Sequence, residues 1–210
     1  MATTDRTSSV ISLHAEAELA VAAASCVSAT ALQAGMRAPL FSLADVHGKQ
    51  VALEGLLDAG PVVLNFFRGE WCSYGARSLD DFSTLARELK ALGVSAVAIG
   101  PGVKPRQPPG TAETVTELCD VDMHVAHTYG LTFNLPVSLR PLYRQLGYQP
   151  PEEHDDADSW LVPVPAMYLL DRDGVIVLAS VELDYRKRFD AASLLSALKA
   201  LSPMKRERRA

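Results

Sequence analysis

The chain has 210 residues, 48% of them hydrophobic, which is enough to bury one sizeable core and does not require a second domain. A formal net charge of −5 disfavours a nucleic-acid backbone as the main partner, and the rest of the chain is more acidic still, because Lys205, Arg206, Arg208 and Arg209 outweigh Glu207 in a short C-terminal run that reads as a solvated tail. Three cysteines, Cys26, Cys72 and Cys119, do not make the framework that staples small secreted domains, so the reducing cytoplasm is the expected compartment.

In chain order, the first predicted element is an alanine-rich amphipathic helix over residues 19–32. Glu16 and Glu18 precede it, and Ser25, Ser28 and Thr30 interrupt it, which argues against a signal peptide or a membrane span. Residues 41–43 and 51–53 flank His47-Gly48 and read as a short hairpin. The apolar run Pro61-Val-Val-Leu-Asn-Phe-Phe67 suits a central strand buried on both faces, and residues 94–100 have the same character. Between them Leu79, Phe82, Leu85, Leu89 and Leu92 recur at helical spacing, so the segment predicts a βαβ unit with a parallel strand pair.

Four prolines between Gly100 and Gly110 exclude a regular helix there, and the acidic stretch from Pro150 to Trp160 also reads as a loop. Cys119, Asp120, Asp122, His124 and His127 carry zinc-ligand chemistry. Their spacing fits better a short helix with Asp122 as its N-cap, and no metal or other cofactor is expected. Residues 166–170 and 175–179 flank Asp171-Arg-Asp-Gly174 and predict an antiparallel hairpin. Leucines at 194, 195, 198 and 201 predict a closing helix. The aromatics Phe66, Phe67, Tyr168 and Trp160 are assigned to core or rim by default.

The chemistry is concentrated at Arg68-Gly-Glu-Trp-Cys72-Ser-Tyr-Gly75, where the first buried strand hands over to a helix. The first turn of a helix has unpaired N–H groups and a positive dipole end, both of which favour a thiolate over a thiol. Strand ends of this kind are where open α/β sheets place their sites. Cys72 is therefore the candidate nucleophile, against the alternative of a small buried cysteine that fills space.

Several stretches together resemble the peroxiredoxin-like proteins of the alkyl hydroperoxide reductase and thiol-specific antioxidant (AhpC/TSA) family, within the thioredoxin superfamily. They are Gly35-Met-Arg-Ala-Pro39-Leu-Phe-Ser-Leu43, Gly60-Pro-Val-Val-Leu-Asn-Phe-Phe-Arg-Gly-Glu-Trp-Cys72, Tyr129-Gly-Leu-Thr-Phe-Asn-Leu-Pro136, Val162-Pro-Val-Pro-Ala166, and Asp184-Tyr185 with Arg188. The resemblance implies a thioredoxin-like α/β fold, a central mixed β-sheet flanked by helices. Its organisation is an N-terminal helical extension over residues 1–34, the domain over 35–202 and the basic tail over 203–210.

The resemblance also implies antioxidant oxidoreductase chemistry through a cysteine sulfenic acid. The substrate is a peroxide or a small disulfide, the reductant a thioredoxin- or glutathione-like thiol, and a homodimer is left open. Relatives of this branch typically read Trp-Cys-Pro-Tyr-Cys, whereas this chain reads Trp71-Cys72-Ser73-Tyr74-Gly75. The first cysteine is kept and the second is replaced by Gly75, which in typical peroxiredoxins is the attacking position. A sulfenic acid on Cys72 would then be resolved by an outside thiol, by Cys26 or by Cys119, in a one-cysteine mechanism. The other reading is a catalytically degenerate binding or scaffold protein. Arg68 and Arg188 are the nearest candidates for a positive charge at the site, with surface solvation as the default fate of each. Pro165 resembles the proline, usually cis, that faces the thiol in thioredoxin-like proteins. Arg68, Trp71, Ser73, Tyr74, Gly75, Pro165 and Arg188 are thus the expected site-shaping residues around Cys72.

Overall fold

The computed structural model describes residues 13–69, 71–102, 114–150 and 160–207. The predicted proline-rich loop beyond Gly102 and the acidic loop lie outside the described residues.

The chain begins with helix α1 (Leu13–Thr30), followed by strands β1 (Ser42–Asp45) and β2 (Gln50–Ala52) and helix α2 (Leu53–Ala59). The predicted hairpin forms, with Leu43 opposite Val51, but it stops one residue early. Leu53 opens α2 instead, because Leu53 and Leu57 recur one helical turn apart and both are buried. Strand β3 (Val62–Phe66), helix α3 (Ser73–Ala91) and strand β4 (Ser95–Gly100) form the expected βαβ unit, with β3 and β4 parallel.

Three short strands follow that carry too few residues to show a period in the sequence: β5 (Thr116–Cys119), β6 (Thr132–Asn134) and β7 (Leu161–Pro163). Helix α4 (His124–Thr128) lies between β5 and β6, and a 3-10 turn (Val137–Leu139) leads into α5 (Arg140–Gln145). The predicted hairpin is β8 (Ala166–Leu170) with β9 (Ile176–Val181), and α6 (Ala191–Glu207) closes the fold. The backbone of α6 thus runs into the segment read as a solvated tail.

The strands make one mixed seven-stranded sheet in the order β2-β1-β5-β4-β3-β8-β9, and β6 pairs with β7 in a separate ribbon. Side chains alternate faces along a strand, and the central strands divide accordingly. Leu64, Phe66, Val97, Ile99, Tyr168 and Leu170 point to one face with α1 and α2. Val63, Ala96, Ala98, Met167 and Leu169 point to the other, with Phe82 and Leu89 of α3 and Leu194 of α6. Burial on both faces explains why β3 reads as an unbroken apolar run. The N-terminal extension joins the same core, since Leu19, Ala23 and Val27 of α1 are buried in it.

Candidate active site

Beyond Phe66 the chain leaves the sheet, turns at Gly69 with φ of +95°, and enters α3 at Cys72. The Cys72 N–H donates to the Gly69 carbonyl at 3.3 Å, and the Cys72 carbonyl accepts the Ala76 N–H at 3.1 Å. Cys72 is the N-cap of α3 with extended φ and ψ of −102° and 115°, and its side chain makes no capping hydrogen bond. The thiol therefore stands at the positive end of a 19-residue helix without being spent on the cap. Cys72 is only 7% exposed. Ser73 next to it is exposed and Tyr74 is half-buried.

Gly75 is buried one turn into α3. A Cβ built there would lie 2.7 Å from the Gly69 carbonyl oxygen and 3.5 Å from the Arg68 backbone nitrogen. The turn that delivers Cys72 to its helix thus occupies the space a side chain at 75 would need. The missing second cysteine is a close approach of two backbone segments, with no vacancy left behind.

Arg68 contradicts the expectation of surface solvation. It is 2% exposed, and its guanidinium lies 4.1 Å from the ring centre of Tyr185, 4.8 Å from that of Trp71 and 5.6 Å from that of Tyr143. Its Nη2 donates to the Tyr143 hydroxyl at 2.7 Å, while Nε has no hydrogen-bond partner. No carboxylate pairs with Arg68 among the described residues. A buried cation held by aromatic faces and one hydroxyl is short of an anion, because buried charges are ordinarily paired.

The aromatic wall continues outward. Trp71 packs against Tyr143 at 5.2 Å and Tyr148 at 5.0 Å, and Tyr148 packs against Trp160 at 6.0 Å. Tyr74 meets Tyr185 edge-on at 5.5 Å. Burial raises the Tyr143, Tyr148 and Tyr185 hydroxyls above their ordinary range, Tyr185 to about 12, with the Arg68 charge opposing the shift in each. A negative charge at Cys72 works in the same direction as burial on Tyr143 and Tyr185. Sequence reading missed Tyr143 and Tyr148. They come from α5 and the residues just after it, and no local spacing ties them to Cys72.

The other expected site residues fall elsewhere or differ in detail. Arg188 faces solvent, 69% of its side chain exposed, with its Nε 3.4 Å from Asp81 of α3. Pro165 is half-buried at the entry to β8, and its peptide bond is trans, since no cis bond occurs among the described residues. In that position the proline serves as the opening residue of the strand, which trans geometry allows. All three cysteines are free: Cys26 is exposed on α1 and Cys119 ends β5. Cys119 lines a cleft with Phe67, Gly69, Gly100 and Glu117, and Cys72 is not part of that wall. Burial, with Glu117 and Asp45 adding to it, pushes the Cys119 thiol up and so away from reactivity.

The cap of α4 is Asp120 rather than Asp122. Asp120 is 1% exposed and accepts the Val125 and Ala126 N–H groups at 3.1 and 2.8 Å, while Met123 before the helix adopts a left-handed φ of 57°. Asp122 accepts the His124 N–H at 3.2 Å, and His127 Nδ1 lies 2.8 Å from the Thr132 hydroxyl. No group of three or more His, Cys, Asp and Glu side chains able to hold a metal occurs among the described residues.

Known proteins resemble this arrangement in sequence and in shape. The thiol-disulfide oxidoreductase ResA of Bacillus thuringiensis (strain Al Hakam) is 26% identical over 149 residues, covering 70% of this chain and 68% of that protein. The structure of peroxidoxin BcpB from Mycobacterium tuberculosis matches with a TM-score of 0.57 at 22% identity, over 80% of this chain and 97% of that one. The reduced 2-Cys peroxiredoxin of Plasmodium vivax matches with a TM-score of 0.60 at 14% identity, over 83% of this chain and 84% of that one. These structural likenesses establish a thioredoxin-like fold. The AhpC/TSA family model matches residues 34–179, which span β1 to β8 and most of β9, with the Cys72 loop and most of the aromatic wall, and the chain therefore belongs to the AhpC/TSA family.

Proposed function

We propose that the protein is a thiol-dependent oxidoreductase in which Cys72 works alone, reducing peroxides or small disulfides in a one-cysteine cycle. The carrying observation is Arg68, a 2% exposed cation with no carboxylate partner among the described residues, packed on the same Trp71 and Tyr185 that surround the Cys72 turn. A thiolate at the start of α3 supplies the anion this cage lacks. The sulfur attacks one oxygen of a peroxide, the O–O bond breaks, Cys72 becomes a sulfenic acid, and the other oxygen leaves with the electron pair and takes a proton to become water or an alcohol. With Gly75 closed off, an external thiol condenses with the sulfenic acid, releasing water, and a second thiol frees Cys72 from the mixed disulfide.

A cysteine only 7% exposed favours a small oxidant, so hydrogen peroxide is the preferred substrate over a disulfide. The reductant is a thioredoxin- or glutathione-like thiol of a reducing cytoplasm, where the three free cysteines also persist. The test is stopped-flow reaction with hydrogen peroxide and, in parallel, with a small disulfide, for the wild type and Cys72→Ser. The expected result is consumption that Cys72→Ser removes, with peroxide faster than disulfide. Equal, slow consumption by both proteins would overturn the enzyme and leave the second reading, a binding or scaffold protein, which the burial of Cys72 also suits.

A further inference from the structure

The Tyr143 hydroxyl is in an unusual hydrogen-bonding position. A guanidinium only donates, so in the 2.7 Å contact with Arg68 Nη2 the hydroxyl is the acceptor and its own hydrogen is left to give. No acceptor for that hydrogen occurs among the described residues, and Tyr143 is 1% exposed, so water does not take its place from bulk. The ring is held between Trp71, at 5.2 Å, and Tyr148, at 5.9 Å, which fixes where the hydroxyl oxygen sits. Accepting from a cation makes a hydroxyl a stronger donor in turn. Burial meanwhile keeps Tyr143 protonated through neutral pH, and the Trp71 ring it packs on belongs to the residue directly before Cys72.

The geometry points to Tyr143 as a catalytic proton donor and to Arg68 as the positioning residue behind it, an assignment that rests on Cys72 being the nucleophile. The substrate class is a hydroperoxide, ROOH. The Cys72 thiolate forms a bond to the distal oxygen and carries it away as the sulfenic acid, the O–O bond breaks, and its electron pair goes to RO⁻. Tyr143 passes its proton to RO⁻, giving ROH. The phenolate left behind faces the Arg68 guanidinium until the thiol that frees Cys72 returns a proton.

A donor to the leaving oxygen matters most when that oxygen leaves poorly. The experiment compares Tyr143→Phe with wild type for Cys72 oxidation by hydrogen peroxide, by tert-butyl hydroperoxide and by peracetic acid, whose carboxylate leaves without help. Alkylation by iodoacetamide, which releases no oxygen, is the control. The expected result is a loss of about tenfold or more for hydrogen peroxide and the alkyl hydroperoxide, in the range of general-acid effects, with less than about threefold for peracetic acid and alkylation. Equal losses for all four reagents, or none, would overturn the assignment. In case Tyr143→Phe folds poorly, the wild type alone gives a second reading: its preference for peracetic acid over hydrogen peroxide should be smaller than that of a free small thiolate, and an equal or larger preference overturns the donor. If Cys72→Ser is oxidised as fast as wild type, the thiol reading itself fails and takes the assignment with it. Loss in Cys72→Ser with no selective loss in Tyr143→Phe removes Tyr143 alone.

Discussion

A side chain at position 75 would meet backbone, which cannot swing aside as a flexible side chain can. Gly75→Ala is therefore expected to cost about 1–3 kcal/mol, the usual range for overpacking, and Gly75→Cys at least as much. Urea denaturation midpoints check this, and an unchanged midpoint would show that the turn at Gly69 yields freely. Arg68 allows a second prediction at this scale. A lysine keeps the charge but loses the planar face that lies over Trp71 and Tyr185 and the fork that reaches Tyr143. Arg68→Lys should lower stability by about 2 kcal/mol, combining a charge-assisted hydrogen bond with desolvated cation–π contacts. The same thermal or urea unfolding series reads it, and a loss within error would mean the cage is filled by shape alone.

Two aspartates hold the first turns of helices, and their surroundings give them opposite dependence on pH. Asp120, buried beside α4, has its carboxyl pushed above the usual value of 3.8, burial outweighing the Val125 and Ala126 N–H bonds. The native state then binds the proton more tightly than the unfolded one, so the Asp120 contribution is full below pH 3.8 and is lost as pH rises through its raised value. Asp190, exposed at the start of α6, accepts from the Ser193 hydroxyl and from the Ser193 and Ala192 N–H groups, which hold its carboxyl below 3.8. Its contribution is present above pH 3.8 and fades as pH falls through the lowered value. Unfolding midpoints from pH 3 to 7 should therefore show the wild-type advantage over Asp120→Asn shrinking toward neutrality. The advantage over Asp190→Asn should shrink toward acid. Parallel curves for the two variants would contradict the assignment.

At the scale of the whole molecule, the N-terminal extension is part of the core. Gly130 follows α4 with φ of +70°, and a Cβ there would lie 2.1 Å from the Thr30 carbonyl oxygen, so the end of α1 is seated directly on the body. Removing residues 1–34 strips Leu19, Ala23, Val27 and Ala31 from that core. The loss is on the order of 5 kcal/mol, comparable with the whole stability of a typical domain. The truncated chain should lose its single cooperative thermal transition and bind hydrophobic dyes, whereas a sharp transition near that of the full chain would show the extension to be dispensable.

The sequence by itself determined the elements whose period is long enough to read: the buried strands at 62–66 and 95–100, the amphipathic helix between them, the late hairpin and the closing helix. It also determined that a thiol, Cys72, stands where the first buried strand hands over to a helix and that its usual partner is absent. Local pattern carries such features because side-chain alternation and helical spacing are properties of neighbours in the chain. Only the tertiary structure decided what surrounds that thiol. Arg68, Tyr143, Tyr148 and Tyr185 are brought together across as many as 117 positions of chain by the packing of α5 and the segment after β9 on the Cys72 turn, and an arginine at a strand end reads as solvated until aromatic rings cover it. The same packing decided that Gly75 is closed space and that Asp120 caps α4, since a close backbone approach and a buried carboxylate depend on what the fold presses against them.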